Sequence, residues 1–533
     1  MQGRLFGPFP IHVQHTTTTM KRQLRRKVEI DGPLGQASST YATITDLPDE
    51  LVEKIVDDLD DNGSICRLSL TCKRLHFLVL PMFFSRNKLE NVQNGFFYCH
   101  DPVPDLLEAT RTALFIRNLS TFTFYFTSGI GIEQMSSDIS SLRGLLARIP
   151  PVGKILLGLP DYIRYRNEPQ QVRNMESWGR EFLKLLETIA KSGCSDLKLL
   201  DRIGWLPSMP NNLYVETPPP AKPTGKSRGT KKSGGLRAHP HLTGMSTIQI
   251  LSPRLFQPFF IGCIIDTLKV NRETLVCIRL DVTSITPVLL SRISESMNLP
   301  VVKEVKILSR FNLIWVGLCS FLNRHPSITS LCLDGILPVN DPQVSDPPII
   351  LPYLTQLTAM SPIVTLVLQQ RNRVPLLSSV HVLLNLNAQS ELDPLPAVAT
   401  HPHISSLQLS NCPDGDIFSI LQRHIREDRF TRVITSLSHI RSVILDQLIF
   451  PGNSSPLTIK RWLYLFPHLE HVTLSFCLLD SRLELSGEER HDVFIEFATQ
   501  FAADHPMMKT LSARFRLTVN LDDLRRKPGF SMA

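Results

Sequence analysis

The sequence predicts an α/β protein in which a small N-terminal helical unit precedes a solenoid with one strand and one helix per unit. Three observations support this fold class. Two apolar stripes with helical spacing lie within residues 44–86. Beyond residue 110, a motif of one proline and three apolar positions recurs along the chain. Its successive copies from Glu273 to Pro402 start 23 to 27 residues apart, a period typical of repeat proteins.

The composition is that of a folded protein with more than one ordinary core. The chain has 533 residues, of which 42% are hydrophobic and 20% charged, and its mean hydropathy is +0.01. Apolar runs such as Ile261–Ile265 are far shorter than the roughly 20 residues that a membrane helix needs. The N-terminal residues do not resemble a signal peptide. We therefore expect no membrane association, and a location in the cytoplasm, the nucleus or both.

The net charge of +8 is concentrated in two segments. Residues 1–45 hold six basic residues against two acids, and residues 217–240 hold six basic residues and no acid. A nucleic-acid interface usually needs an ordered basic surface, so nucleic acid is not the favoured partner. The basic cluster Lys21–Lys27 is a nuclear-import signal or part of a solvated tail, and a mitochondrial presequence is a third alternative because the first 28 residues hold no acid.

Residues 44–86 predict two helices. N-capping residues and acids at 45–50 precede a first apolar stripe with i, i+4 spacing, and turn-forming residues at 60–64 interrupt it. The first stripe contains Leu47, Leu51, Ile55 and Leu59, and the second contains Ile65, Leu68, Cys72, Leu75 and Leu78. Pro81 is expected to end the second helix. About 40 residues cannot bury both stripes alone, so a partner or the next domain must cover them.

This pattern resembles the F-box, in which a Leu-Pro pair precedes the first helix. The sequence departs from that family at Leu75, where Trp is frequent, and at Phe83–Phe84, where Leu-Trp is common. The resemblance implies docking on a Skp-type adaptor and, through it, on a cullin complex. The adaptor-binding residues that it implies are Leu47, Pro48, Leu51, Ile55, Leu59, Ile65, Leu68, Cys72, Leu75, Leu78 and Phe83. The alternative is that the two helices only cap the domain that follows.

The repeated motif beyond residue 110 reads Pro-x-φ-x-x-φ-x-φ, where φ is apolar. Clear copies begin at Pro326, Pro402 and Pro467, and stretches with helical character lie between copies. Since each unit can bury its apolar side only against its neighbours, the pattern predicts a solenoid. Its period is similar to that of leucine-rich repeats, and three copies carry that family's polar turn residue: Asn385, Cys412 and Cys477. An ordinary α/β domain with coincident leucine spacing is the alternative.

These patterns divide the chain into six parts. We expect a disordered basic tail (1–43), the F-box (44–86), the first part of an irregular repeat array (87–211), a disordered basic insertion (212–246), a leucine-rich-repeat solenoid (247–520) and a C-terminal tail (521–533). The insertion is rich in Pro, Gly, Ser and Lys, a composition that does not pack a core.

Alternation along each predicted strand separates inward from outward side chains. Leu407, Leu409, Val472 and Leu474 are expected to point into the solenoid. The outward positions of successive copies are expected to form a concave target-binding surface: Arg279, Lys306, Cys332, His381, Gln408, Ile444 and Thr473. This row mixes charged and polar groups, which favours a protein target over a polyanion. A solvated strand face without a partner is the alternative.

Together the patterns predict a non-catalytic substrate receptor of an SCF-type ubiquitin ligase that binds an unknown target protein. No metal or cofactor is expected, because the ten cysteines form no C-x-x-C pair. Gly225–Ser227 lacks the first glycine of a phosphate-binding loop, since Pro220 occupies that position. Two rival functions are a scaffold that binds the adaptor without delivering a target, and a nucleic-acid-associated protein that uses its basic segments.

Overall fold

The computed structural model describes most of the chain between residues 43 and 526. The described ranges are 43–100, 102, 105–127, 132–149, 151–160, 169–201, 242–256, 258–283, 290, 293–295, 297–309, 312–339, 349–369, 373–384, 394–411, 437–449, 456–477, 495, 498–499, 501–503, 505–513 and 517–526. The predicted basic tail, apart from Thr43, and the predicted insertion, apart from residues 242–246, lie outside these ranges, as do Asn385 and Cys412.

Three helices open the described chain: α1 (Asp49–Asp57), α2 (Asn62–Ser69) and α3 (Lys73–Arg86). A short 3₁₀ turn, Glu90–Asn94, then leads into the first strand. The sequence pattern predicts two helices here, because Cys72 continues the apolar spacing of the second stripe. In the structure Cys72 is the N-cap of α3 and has an extended backbone, so the stripe is shared between two helices.

Within the described ranges, fifteen strands form one sheet in which neighbours along the chain are also neighbours in space. They pair in parallel, except for the last strand, which is antiparallel to its neighbour. The strands of this sheet are β1 (Phe96–Cys99), β2 (Leu119–Tyr125), β3 (Val152–Leu159), β4 (Asp196–Asp201), β5 (Thr247–Leu251), β6 (Cys277–Asp281), β7 (Glu304–Leu308), β9 (Ser330–Asp334), β11 (Gln356–Met360), β12 (Ser379–Leu384), β13 (Ser406–Asn411), β14 (Ser442–Ile449), β15 (His471–Cys477), β16 (Thr510–Ala513) and β17 (Leu517–Asn520). Two further strands, β8 (Asn312–Ile314) and β10 (Leu337–Val339), pair with each other.

Helices lie between many of these strands, as parallel pairing of consecutive strands requires a crossover connection. They are α4 (Leu106–Thr112), α5 (Ile132–Arg148), α6 (Pro169–Lys191), α7 (Pro258–Val270), α8 (Trp315–Asn323), α9 (Ser361–Leu368), α10 (Leu395–Ala399) and α11 (Pro456–Leu463). A further helix, α12 (Leu521–Arg525), follows the last strand. Among the described helices, none combines the length and the apolar character needed to cross a membrane. The predicted fold class, a helical N-terminal unit followed by an α/β repeat solenoid, is confirmed.

The core is a stack of inward-facing strand residues. The four inward positions predicted for two of the copies, Leu407, Leu409, Val472 and Leu474, are each at most 2% exposed. Aromatic side chains replace the leucines at the N-terminal end, where the rings of Phe97 and Phe122 stack with their centres 4.6 Å apart. One continuous apolar cluster therefore runs from the first helices to the last strand.

The two ends of the array are closed differently. At the C-terminal end β17 turns back antiparallel to β16, and α12 buries Leu521 and Leu524. The apolar cluster therefore continues into α12 as far as Leu524, past residue 520, where the predicted solenoid ends. At the N-terminal end the three helices of residues 49–86 share the apolar cluster of the array.

We predict that Leu407→Ala lowers the free energy of unfolding by about 2–5 kcal/mol, because it leaves a cavity in a fully buried position. Gln408→Ala, one residue along the same strand and only half-buried, should change it by less than about 1 kcal/mol. Urea unfolding of both variants measures the difference. Equal losses would show that the strand register is wrong.

Candidate protein-interaction surfaces

The first helices are defined by polar groups at their ends. The Asp61 carboxylate caps α2 by accepting hydrogen bonds from the backbone N–H groups of Gly63 (3.1 Å) and Ser64 (2.8 Å). The Ser64 hydroxyl also donates to this carboxylate, and these bonds, led by the hydroxyl, lower the pKa of Asp61. Asp49 and Glu50 occupy the first turn of α1, where acids favour the positive end of the helix dipole.

Two arginines of α3 hold α1 in place. Arg86 donates to the backbone carbonyls of Val56 (2.8 Å) and Leu59 (2.6 Å), so it fastens α3 to the C-terminal end of α1 and the residues just after it. Arg74 donates to the carbonyl of Leu47 (2.5 Å) and forms an ion pair with Asp49. The sequence pattern placed Arg74 off the apolar stripe, and only the packing of α3 across α1 reveals its partners.

The apolar face of α1 that enters the core is not the predicted stripe. Val52 and Val56 are buried, whereas Leu51 is 44% and Ile55 is 36% exposed. The stripe of Leu47, Leu51, Ile55 and Leu59 therefore lies at the surface or at its margin, with Leu47 and Leu59 half-buried. The F-box segment thus has apolar residues on two sides of its first helix, and only one of these sides is buried against the part of the chain that the structure describes.

The eleven predicted adaptor-binding residues fall into three groups. Pro48, Leu51 and Ile55 are exposed, and Leu47, Leu59, Leu68, Cys72 and Leu78 are half-buried. Ile65, Leu75 and Phe83 are 0% exposed, so they support the helices from inside and do not offer a surface for contact. The sequence pattern could not separate these groups, because it shows spacing but not which neighbours cover each position. Binding by the exposed and half-buried residues stays a prediction.

Pro81 does not end α3, which continues to Arg86. Proline removes one helix hydrogen bond, here the one to the carbonyl of Phe77. The residues around it compensate, since Leu80, Phe83 and Phe84 are all at most 2% exposed. Burial of these large side chains outweighs a local backbone cost of about 3 kcal/mol.

The F-box segment is joined to the first repeat by a buried histidine. His76 Nδ1 lies 3.2 Å from the carbonyl oxygen of Ser69, and its Nε2 accepts a hydrogen bond from the backbone N–H of Leu114 at 3.0 Å. Nearby, the rings of Phe84 and Phe115 meet edge to face, with centres 6.0 Å apart. The segment therefore caps the array and still leaves the Leu51 side of α1 open.

The predicted target-binding residues lie on one row across the sheet. Each is the Cα partner of the next on the neighbouring strands, in the order Arg279, Lys306, Cys332, Thr358, His381, Gln408, Ile444 and Thr473. Thr358 was not predicted, because the copy beginning at Pro352 ends in Ala359 rather than a larger apolar residue. We call the outward face of the sheet, which carries this row, the open face.

Charged groups of both signs lie close together on the open face between β6 and β9. The guanidinium of Arg279 donates from Nε to the Glu304 carboxylate at 2.8 Å. Burial raises the pKa of Asp334, although the ammonium of Lys306 opposes that rise. Burial also raises the pKa of the Cys332 thiol to about 11, so the thiol is protonated at neutral pH. Among the described residues, no group of His, Cys, Asp and Glu is arranged to hold a metal ion.

His381 is a neutral polar group at the middle of the row. Its Nε2 lies 2.6 Å from the hydroxyl of Ser410. Burial lowers the pKa of His381 to about 4, and the Asp446 carboxylate opposes that effect. The imidazole therefore presents hydrogen-bonding atoms without charge at neutral pH.

Comparison with known proteins identifies the first part of the chain. Residues 44–84 match the F-box domain family, so the chain carries an F-box domain in its first three helices. No curated protein matches the sequence.

Two solved structures are similar to the chain as a whole. The leucine-rich repeat-containing protein LegL7 from Legionella pneumophila has 13% identity and a TM-score of 0.32, with 71% of this chain and 89% of that chain covered. A complex of Rad7 and Elc1 in yeast has 10% identity and a TM-score of 0.33, with 78% of this chain and 96% of that chain covered. At these scores the likeness adds nothing to what the strand order already shows.

We predict that the stability of the protein falls as the pH drops from about 6.5 to about 4, partly through His381. In this range the unfolded chain binds a proton on His381 that the folded protein does not, so acid favours unfolding, by at most about 3 kcal/mol for this residue. Above pH 6.5 the contribution is complete. His325, whose pKa burial also lowers, contributes in the same direction.

His381→Gln keeps a polar group beside Ser410 but does not titrate, so the urea midpoint should fall less between pH 6.5 and pH 4 than in the wild type. His403→Gln, at an exposed position, serves as the control for the substitution itself and should keep the urea midpoint of the wild type at pH 6.5. If the urea midpoints of the wild type and of His381→Gln fell equally between pH 6.5 and pH 4, His381 would not contribute to the pH dependence of stability, and the prediction would be wrong.

Proposed function

We propose that this chain is the substrate-recognition subunit of an SCF-type cullin–RING ubiquitin ligase. The observation that carries the proposal is the F-box domain with an uncovered apolar side on α1, where Leu51 and Ile55 are exposed while Val52 and Val56 fill the core. A soluble helix normally buries its apolar positions, so a second apolar side favours a binding partner. We assign that partner as a Skp-type adaptor, which connects the chain to a cullin.

The repeats supply the second binding surface in this proposal. The open face offers a long row of half-buried polar and charged side chains on parallel strands, and it is separate from the α1 surface. Paired charges such as Arg279 and Glu304 suit a protein surface better than the uniform negative charge of a nucleic acid. The target is therefore a protein, held across the strands between β6 and β15.

The mechanism is proximity rather than chemistry on this chain. Binding the adaptor and the target at once makes the encounter between a target lysine and the ubiquitin carrier effectively intramolecular. The shared core and the His76 bridge support this role, because they tie the adaptor side to the target side. Catalysis belongs to other subunits, and the complex acts in the cytoplasm, the nucleus or both.

We predict that Leu51→Asp combined with Ile55→Asp abolishes co-purification with a Skp-type adaptor. Each exposed side chain contributes apolar area at the interface, and a buried charge without a partner is strongly unfavourable. The fold should survive, since neither side chain enters the core. Leu376→Asp, at a position 52% exposed in the array, is the matched control and should keep adaptor binding. Undiminished adaptor binding by the double variant would remove the basis of the proposed function.

We predict that changing Gln408, Ile444 and Thr473 together to Lys removes target ubiquitination while adaptor binding remains. The three positions are consecutive in the row, so the change adds three like charges to one stretch of the open face. The control adds the same charge at three exposed turn positions before strands, Tyr353, Leu376 and His403. Ubiquitin transfer to captured targets in a reconstituted ligase measures the effect. If the triple variant at Gln408, Ile444 and Thr473 still supported wild-type ubiquitin transfer to the target, the target would not bind at β13–β15.

A further inference from the structure

The open face has an aromatic region at its N-terminal end that the proposed row does not include. Phe96 is 53% and Tyr98 is 59% exposed on β1, and Tyr125 on β2 lies beside them. The rings of Tyr98 and Tyr125 meet edge to face with centres 6.4 Å apart, and His100 lies 4.9 Å from Tyr125. We call Phe96, Tyr98 and Tyr125 the aromatic patch.

The position of Tyr125 depends on the residue beneath it. Tyr125 is the Cα partner of Gly158 on β3, and a Cβ atom at Gly158 would lie 2.1 Å from the Tyr125 ring. Only glycine at this position lets the ring lie against the sheet. The patch is therefore held in shape by the backbone, while Phe96 and Tyr98 project beyond it.

The charges beside the patch have a defined sign. On the open face, Lys154 of β3 and Lys198 of β4 follow the patch, and Asp196 is the acid between them. Within the described part of the chain neither lysine forms an ion pair, whereas Arg279 further along the row is paired with Glu304. Lys154, Lys198 and Asp196 together give the edge of the patch a net positive charge. This charge favours an acidic group on the binding partner.

The spacing between the two features is set by the sheet. Tyr98 and Lys198 occupy the same row, three strands apart, through Thr123 and Leu156. At about 4.8 Å per strand this is roughly 14 Å, which an extended peptide spans in about four residues. Leu156 lies between them as a half-buried apolar position.

We propose that the aromatic patch and Lys198 recognise an extended segment of the target with an aromatic or large aliphatic side chain and, three to five residues away, an acidic one. Aromatic rings offer rigid apolar contact area at a small entropy cost, and the lysines supply the complementary charge. This inference rests on the proposed function, because it specifies which target segment would bind to the open face of a substrate receptor.

The test uses a displayed library of random twelve-residue peptides selected on the purified full chain. We expect enrichment of Phe, Tyr, Trp or Leu together with Asp or Glu at a separation of three to five residues. Selection on the Lys198→Glu variant should replace the acidic preference with Lys or Arg. Lys303→Glu makes the same charge change at an exposed position outside the patch and should keep the wild-type preference.

A second variant tests the aromatic half. Phe96→Ser with Tyr98→Ser should weaken the best wild-type peptide at least tenfold in fluorescence anisotropy. Its melting temperature should stay close to that of the wild type, since both side chains are more than half exposed. If the wild type enriches no such motif, or if Lys198→Glu leaves the selected charge unchanged, the inference is wrong.

A dimer that dissociates on the Phe96→Ser, Tyr98→Ser change, seen by light scattering, would overturn the inference by assigning the patch to a second copy of this chain. Adaptor co-purification of the same variants separates the two proposals. Retained adaptor binding with failed peptide selection rejects the target motif and leaves the F-box function standing.

Discussion

Lateral pairing of parallel strands is the interaction on which the rest of this molecule depends. No single strand and helix here can bury its own apolar side, and each strand satisfies its backbone groups only through the strand before and the strand after. Stacking therefore creates the core, with Leu331, Leu407 and Val472 at equivalent inward positions along one continuous cluster. Any insertion or irregular unit has to leave this strand pairing intact. At the two ends of the sheet, where no further strand follows, other elements have to cover the apolar side of the last unit.

Buried polar side chains at the helix ends connect one unit to the unit before it. Asn271 accepts from the backbone N–H of Met245 at 2.8 Å, and His325 Nε2 accepts from that of Leu299 at 3.0 Å. His76 also accepts a bond from a backbone N–H, that of Leu114, but it lies within α3 and its partner belongs to the unit that follows. Because these groups are buried, each lost bond would leave an unsatisfied backbone donor.

The same pairing also organises the open face. Alternation leaves one side chain in two on the open face, and parallel register aligns those side chains into rows that cross many strands. The rows change character along the array, from aromatic at β1 and β2 to charged at β6 and β7 and polar at β12 and β13. A protein segment lying across the strands would therefore contact aromatic, charged and polar side chains in that order. The proposed adaptor surface lies elsewhere, on the side of α1 where Leu51 and Ile55 are exposed.

Much of this architecture follows from the sequence alone. Alternating apolar residues at a near-constant period determined the strand register, the inward set that includes Leu407 and Leu409, and the row that contains Arg279 and Gln408, because side-chain direction in a strand depends only on parity. The Leu-Pro pair and the spacing of residues 47–83 likewise identified the F-box segment. Other features were decided by the tertiary structure. Val52 and Val56, rather than Leu51 and Ile55, enter the core, α3 runs through Pro81, and Tyr125 lies over Gly158. In each case the outcome depends on which distant residues cover a position, and local spacing carries no information about those neighbours.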